Sequence, residues 1–222
     1  RRRQRQMCIR DSISKNQRVN LIIKVRENIF NLKKFLKSFS VNIKNIKFYK
    51  IPTNRIWIRD YGPIYLVNKK SRKKVFLNFG FNGWAKYKNF KNDNSVNNII
   101  SKISKIKKIE PEIKIGKKIK KFVLEGGAFD VNGKGSILLT EECLLSKVQQ
   151  RNNGVNKNMY EKVLKDFLNV TNYIWLKRGI KGDDTHGHID DITRFISPNT
   201  IITAIEKKKN DANYNILKQN YK

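Results

Sequence analysis

The chain has 222 residues, of which 39% are hydrophobic and 10% aromatic, so it can bury a core and is not a disordered protein. It shows no apolar run of the roughly 18 residues that a membrane span needs and no secretory signal, and its two cysteines exclude a disulfide framework. We therefore expect a globular cytoplasmic protein.

The formal net charge of +31 would by itself favour a nucleic acid or an anionic membrane as partner. The excess is mostly lysine, 36 Lys against 13 Arg, and it accompanies 27 Asn. The lysines are scattered along the whole chain, as drift toward A- and T-rich codons would scatter them. We expect no specific nucleic-acid partner and no membrane, and a basic nucleic-acid-binding protein is the alternative from a different class.

The first twelve residues, RRRQRQMCIRDS, are rich in Arg and Gln and contain no Lys, unlike the rest of the chain. We interpret residues 1–12 as a non-native tail and give Cys8 no functional weight.

From Ile13 onward, hydrophobic periodicity predicts a mixed α/β fold. Apolar residues at helical spacing predict helices near 25–39, 96–106 and 160–167. Short apolar runs predict strands at 19–24, 46–51, 64–67, 75–80, 122–124, 128–131, 136–140, 172–176 and 200–205. Asn132 and Gly133 predict a hairpin turn between two of them. A strand–strand–helix–strand unit thus occurs more than once, and the lack of a Pro/Gly/Ser-rich linker favours one domain at 13–222.

Three Gly-rich acidic motifs interrupt the Lys/Asn/Ile background: WIRDYGP (57–63), LEGGAFD (124–130) and GDDTHGHIDD (182–191). Each adjoins a predicted strand. The interval from Asp60 to Glu125 is 65 residues and that from Glu125 to His188 is 63. Near-equal steps predict structural repeats that bring one polar residue each to a shared cleft.

Carboxylates that converge in a cleft repel each other unless a cation lies between them. That cation is either a positively charged substrate or a metal ion. A histidine beside carboxylates gains basicity and is a candidate acid/base, which describes His188 next to Asp190. The metal alternative would use His186, His188 and Asp190 to bind zinc or iron.

At these residues the sequence resembles the agmatine deiminase and bacterial-type peptidylarginine deiminase family, part of the guanidine-modifying superfamily. The matching segments are WIRDYGPI (57–64), LEGGAFDVNGKGSILLTEECLLS (124–146) and IWLKRGIKGDDTHGHIDDITRF (174–195). The resemblance implies an α/β-propeller (pentein) fold built from pseudo-symmetric repeats. It also implies hydrolysis of a guanidinium group, most simply agmatine to N-carbamoylputrescine and ammonia in putrescine biosynthesis, with no metal or organic cofactor. Peptidylarginine deiminase and amidinotransferase activities of the same superfamily are the near alternatives.

Carried over by position, the resemblance implies that Asp60 and Asp190 grip the guanidinium. His188 would protonate the departing ammonia and then activate water, while Glu125 would hydrogen-bond the imidazole and raise its pKa.

The remaining implied roles are supporting ones. Trp57 would wall the substrate pocket, with packing in the core as the alternative. Arg59 would pair with a carboxylate, and Gly126 and Gly127 would let the backbone approach the site.

The family attacks the guanidinium carbon with a cysteine in a Gly-rich motif beyond the His motif, and no such motif precedes Lys222. Cys143 matches a non-catalytic stretch and is expected to pack in the core. We therefore expect a partial α/β-propeller that holds the carboxylates and the histidine but does not release ammonia from agmatine. A second departure is RNNG (151–154), where the family has a proline after Arg-Asn.

Overall fold

The computed structural model describes residues 12–221. The predicted non-native tail therefore lies almost wholly outside the described residues. The chain divides into two compact units, one ending at Thr53 and the other beginning at Asn54.

The first unit is built on a strand–helix–strand arrangement. Strand β1 (Val19–Ile23) pairs in parallel with β2 (Ile46–Lys50), and helix α1 (Ile29–Lys37) lies between them in sequence, as a parallel pair requires. The helix begins later than predicted because the Asn28 side chain caps it, accepting hydrogen bonds from two backbone amides of the first turn. Leu36, Val41 and Ile46 form the buried core of this unit.

The second unit contains ten strands and five α-helices among the described residues. The helices are α2 (Ile58–Tyr61), α3 (Lys91–Ser104), α4 (Glu141–Leu145), α5 (Lys157–Leu168) and α6 (Tyr214–Tyr221). The strands are β3 (Ile64–Val67), β4 (Lys74–Leu77), β5 (Lys107–Ile109), β6 (Glu112–Ile115), β7 (Lys118–Lys121), β8 (Asp130–Val131), β9 (Ser136–Thr140), β10 (Asn172–Leu176), β11 (Thr193–Ser197) and β12 (Thr200–Thr203).

The same topology occurs twice in this unit. An antiparallel hairpin, β3–β4, is followed by α3 and then by β5, which returns parallel to β4. Another antiparallel pair, β8–β9, is followed by α5 and then by β10, which returns parallel to β9. A further antiparallel hairpin, β11–β12, precedes α6. The predicted strand–strand–helix–strand repeat is confirmed, and so is the mixed α/β class.

The main hydrophobic core joins these repeats. Its fully buried side chains include Phe122, Leu139, Tyr160 and Leu164. Each such large apolar side chain stabilises the fold by about 1.5–3 kcal/mol relative to exposure in water. The phenolic oxygen of Tyr160 accepts a hydrogen bond from the Asn152 amide, so this buried polar group is satisfied.

Several elements differ from the prediction. The hairpin β6–β7 was not predicted because lysines fill half of its strand positions and its second strand, KIKK, has a single apolar residue. The predicted strand 122–124 makes only one isolated bridge, between Val123 and Gly80. Strand β11 and helix α6 were also not predicted. Within residues 12–221, no helix is long and apolar enough to cross a bilayer.

Candidate active site

The three acidic motifs occupy equivalent places in the repeats. Asp60 lies four residues before β3, Glu125 five before β8, and His188 five before β11. Each motif therefore precedes the first strand of an antiparallel hairpin. The near-equal intervals seen in the sequence follow from this repeated placement.

The imidazole of His188 lies between two aspartates. Its Nδ1 atom is 3.8 Å from Asp60 Oδ1 and 3.8 Å from Asp190 Oδ1, which is beyond hydrogen-bond distance. His188 and Asp60 are buried, whereas 23% of the Asp190 side chain is exposed. The group is therefore open to solvent on the side of Asp190.

Gly127 allows these side chains to come together. A Cβ atom at this position would lie 2.5 Å from His188 Nδ1 and 2.7 Å from Asp60 Oδ1, so any side chain would displace both. Its carbonyl oxygen accepts a hydrogen bond from the Asp190 amide at 3.3 Å. A Cβ at Gly126 would collide with the carbonyl oxygen of Arg59. Both glycines thus stand where backbone and site side chains approach closely.

Trp84 positions Asp60 through a buried hydrogen bond. Its indole Nε1 donates a hydrogen bond of 3.1 Å to Asp60 Oδ2, and both groups are buried. Phe81 and Tyr87 pack edge-on against the indole, and the Arg55 guanidinium lies 5.3 Å from its ring centre. The aromatic contacts fix the indole, so Asp60 keeps its other oxygen, Oδ1, toward His188.

Glu125 is paired with an arginine and not with the histidine. Arg151 Nε donates to Glu125 Oε1 at 3.0 Å, and neither side chain is exposed. Glu125 Oε2 and His188 Nε2 are buried and have no hydrogen-bond partner within residues 12–221. The predicted hydrogen bond between Glu125 and the imidazole is therefore wrong for this structure, because Arg151 takes one oxygen and the other stays unpaired.

A carboxylate orders the loop that carries His188. Asp183 Oδ2 accepts hydrogen bonds from the backbone amides of Gly187 at 2.7 Å and His188 at 3.1 Å. Asp183 Oδ1 accepts from the amide and hydroxyl of Thr185. Arg151 also donates to the carbonyl oxygen of Thr185, so the loop and Glu125 share one arginine. These bonds hold the chain in the positive-φ conformation of Gly187 and position His188.

Burial raises the pKa values of both aspartates. The pKa of Asp60 is raised to about 7, first by desolvation and then by the negative charges of Glu125 and Asp190. The pKa of Asp190 is raised to about 6 by desolvation and by Asp191, against the opposing positive charges of Arg194 and Arg59. A cation that binds beside these two carboxyl groups stabilises their ionised forms and so lowers their pKa values.

The pKa of His188 is shifted in the direction opposite to the prediction. Burial lowers the pKa of His188 to about 4, and the negative charge of Glu125 only partly offsets this. The expectation that neighbouring carboxylates make this histidine more basic is wrong, because desolvation of the charged form outweighs their attraction. The ring is neutral at physiological pH.

Two predicted residues lie at the edge of the group. Trp57 is 49% exposed and immediately precedes α2, so its alternative role in core packing is wrong. Its carbonyl oxygen accepts a hydrogen bond from the Asp60 amide at 3.0 Å. Arg59 is exposed, and its positive charge acts to lower the pKa of Asp190.

The donor set of the metal alternative is not assembled. His186 Nε2 lies 3.3 Å from the Ser146 hydroxyl. Among the described residues, the potential metal ligands that do gather are Glu125, Cys143 and His188, whose donor atoms lie within 4.8 Å of one another. Cys143 is fully buried in the main core, as predicted, and burial raises the pKa of its thiol.

Sequence reasoning missed three residues of the group: Trp84, Arg151 and Asp183. Asp183 belongs to the third motif, but nothing in its spacing distinguishes it from its neighbour Asp184. The sequence draws attention to Arg151 only because the segment RNNG (151–154) lacks the proline that the family has after Arg-Asn.

Comparison with known proteins finds related sequences and structures. Residues 2–222 match the model of the family described as Porphyromonas-type peptidyl-arginine deiminase. Agmatine deiminase from Pseudomonas aeruginosa strain LESB58 is 31% identical over 170 residues, which are 77% of this chain and 45% of that protein. The chain spans about half the length of the curated relatives it matches.

Solved structures show the same fold. A substrate-bound variant of C. jejuni agmatine deiminase superposes with a TM-score of 0.82 at 34% identity, covering 98% of this chain and 60% of that one. Agmatine deiminase of Enterococcus faecalis gives a TM-score of 0.80 at 27% identity, covering 97% and 56%. The repeated hairpin–helix–strand topology is therefore the pentein-type α/β-propeller arrangement of these enzymes.

Proposed function

The chain belongs to the Porphyromonas-type peptidyl-arginine deiminase family, and on that premise we propose that it forms the guanidinium-binding part of an agmatine deiminase. The reaction is hydrolysis of agmatine to N-carbamoylputrescine and ammonia, a step toward putrescine. The observation that carries this proposal is the position of Asp60 and Asp190, each 3.8 Å from His188 Nδ1 in a largely buried group.

The two aspartates suit a flat cation with several N–H donors. A guanidinium presents donors on each side of its plane, so two carboxylates can each accept hydrogen bonds from it. Their pKa values are raised to about 7 and about 6, first by burial, so a positive charge beside them stabilises their ionised forms. Binding of the substrate supplies that charge and expels the protons.

His188 is the acid/base group. Its pKa of about 4 makes the ring neutral at the start of the cycle, so it first accepts the proton of the attacking thiol. It then gives that proton to the departing ammonia, and in the second half-reaction it removes a proton from water. Glu125, anchored by Arg151, places a negative charge beside the imidazolium formed in between.

The nucleophile in this proposal is a cysteine thiolate, as the family resemblance implies. Its sulfur bonds to the guanidinium carbon, ammonia leaves, and water cleaves the resulting amidino-thioether to regenerate the thiol. Cys143 does not fill this role, because it is fully buried in the main core and burial raises the pKa of its thiol.

Calorimetric titration of the purified chain tests the proposal. We expect agmatine to bind, and Asp60→Asn and Asp190→Asn each to weaken binding by at least about tenfold, since each removes a charge-assisted contact. Asp166→Asn, an exposed aspartate on α5, is the matched control and should leave the affinity unchanged. Butylguanidine and butylamine separate recognition of the guanidinium from simple attraction of cations.

Equal affinity for the two butyl compounds, or an unchanged agmatine affinity in both aspartate variants, would contradict the proposal. Titration with arginine and with an arginine-containing peptide in the same series decides among the substrates of the family.

A further inference from the structure

Cys143 takes no part in the proposed reaction but lies beside two residues that do. Cys143 on α4, Glu125 before β8 and His188 before β11 bring one sulfur, one carboxylate oxygen and one ring nitrogen within 4.8 Å of one another. The three residues come from separate segments and are all buried. Cys143 is a free thiol.

Two of these residues each have one ligand atom that makes no hydrogen bond within residues 12–221. Glu125 Oε1 is held by Arg151, which leaves Oε2, and His188 Nδ1 lies beside the two aspartates, which leaves Nε2. Both remaining atoms are buried without a hydrogen-bond partner in the described part of the chain. Unpaired buried polar atoms are costly, and a ligand that uses both lone pairs relieves that cost.

We propose that Glu125, Cys143 and His188 form a binding site for zinc or a similar divalent cation, and that the ion acts as an inhibitor. Sulfur, imidazole and carboxylate are the ligands that zinc accepts, and three protein ligands with one open position are common at zinc sites. The ion replaces the proton of the thiol, which is released to solvent. The inhibitory consequence rests on the proposed function, whereas the binding of the ion does not.

The geometry requires only small movements. Three atoms no more than 4.8 Å apart share a point within about 2.8 Å of each, against zinc–ligand distances of about 2.0–2.3 Å. Shifts of about half an ångström to one ångström in three side chains close that difference.

The surrounding charges also favour a cation. Asp60 and Asp190 flank His188 and add carboxyl groups close to the proposed ion. The positive charge of Arg151 is already paired with Glu125. An ion bound here occupies the lone pair of the imidazole and adds positive charge next to the guanidinium site, so it opposes both proton transfer and substrate binding.

The experiment uses metal-free protein carrying Cys8→Ser, which leaves Cys143 as the sole thiol. Zinc affinity is measured by competition with a chromophoric chelator, and Co²⁺ is added as a spectroscopic probe. We expect one ion per chain and a thiolate-to-cobalt absorption band in the near ultraviolet. Zinc should also weaken agmatine binding.

Single substitutions assign the ligands. Cys143→Ala and His188→Ala should each reduce zinc affinity by at least about tenfold, and Cys143→Ala should abolish the absorption band. His186→Ala is the matched control from the same motif and should preserve both. Glu125→Gln, which keeps the size of the side chain, replaces Cys143→Ala if circular dichroism shows that the latter does not fold.

Zinc affinity that is unchanged in Cys143→Ala and His188→Ala overturns this inference, and so does an absorption band that persists without Cys143. Agmatine binding is measured in parallel with a chelator present. Loss of zinc binding with normal agmatine binding rejects the metal site alone, whereas normal zinc binding without agmatine binding rejects the proposed function alone.

Discussion

Arg151 Nε donates a hydrogen bond of 3.0 Å to Glu125 Oε1, and neither side chain has any exposure to solvent. The same guanidinium reaches the carbonyl oxygens of Gln149 and Thr185. One buried cation thus fixes the carboxylate beside His188 and also the loop that carries His188. The positions of Glu125 and His188 therefore depend on this pair.

Breaking the pair should therefore be severe. Arg151→Met leaves an uncompensated carboxylate in the core and should lower the free energy of unfolding by about 3–5 kcal/mol, measured by urea denaturation. The double variant Glu125→Gln/Arg151→Met should lose clearly less than the sum of the two single changes. Lys177→Ala is the control, because its exposed ion pair with Glu141 contributes less than about 1 kcal/mol. Additive losses in the double variant would show that the two residues are not coupled.

Agmatine binding should become tighter as pH rises from 5 to 8. The ligand remains a cation over this range, whereas Asp60 and Asp190, with pKa values of about 7 and about 6, must lose protons to bind it. His188, with a pKa of about 4, does not change charge in this window. We expect the affinity to rise by about tenfold or more across the range.

Titration calorimetry in buffers of different ionisation enthalpy measures the released protons directly. Asp190→Asn should bind more weakly and release fewer protons than the wild type. A pH-independent affinity would contradict the raised pKa values.

Asp60→Asn should raise the free energy of unfolding of the substrate-free protein at high pH. Because the folded-state pKa is raised from 3.8 to about 7, the folded state holds a proton that the unfolded state has lost between these values. This residue's contribution to stability therefore falls as pH rises from about 4 to 7. A shift of about three units corresponds to as much as about 4 kcal/mol at pH 8.

Urea denaturation of wild type and Asp60→Asn at pH 5 and pH 8 checks this expectation. The difference in unfolding free energy should favour the variant more strongly at pH 8. Asp166→Asn, exposed on α5, should show no such trend. A variant that loses stability equally at both pH values would indicate that the hydrogen bond from Trp84 outweighs the burial of charge.

Asp183→Asn should disorder the loop that carries His188. The carboxylate accepts hydrogen bonds from the amides of Thr185, Gly187 and His188, and an amide side chain would direct N–H groups toward some of them. We expect a loss of about 1.5–3 kcal/mol in unfolding free energy and weaker agmatine binding.

The neighbouring Asp184→Asn is the control for that experiment. The Asp184 carboxylate instead accepts hydrogen bonds from Lys86 and Tyr87 near the surface. The NMR signals of the His188 ring should change in the Asp183 variant only. Unchanged ring signals in Asp183→Asn would show that other contacts position the histidine.

Cys143 should resist alkylation in the folded protein. It is fully buried, and burial raises the pKa of its thiol, so little thiolate is present or accessible. In a Cys8→Ser background, iodoacetamide should react with Cys143 only when denaturant unfolds the chain, as mass spectrometry would show. Rapid alkylation without denaturant would contradict the buried placement and reopen Cys143 as a nucleophile.

Much of this fold could be predicted from local patterns. The β3–β4 hairpin, helix α5 and the turn at Asn132 and Gly133 all have the expected periodicity or turn residues, and the structure contains them. Elements whose apolar signal is diluted by lysine were missed, as in β6 and β7. There, pairing between strands decides the structure, and one strand's sequence does not reveal its partner.

The sequence by itself determined which residues approach one another, because repeats of similar length place Asp60, Glu125 and His188 each before an antiparallel hairpin. Only the tertiary structure decided how these residues behave. It paired Glu125 with Arg151, and it placed the Trp84 indole, which lies in a distant loop, where it donates a hydrogen bond to Asp60. It also lowered the pKa of His188 where the neighbouring charges alone would have raised it. The reason is physical: spacing follows from chain length per repeat, whereas pairing and desolvation depend on what surrounds each group in three dimensions.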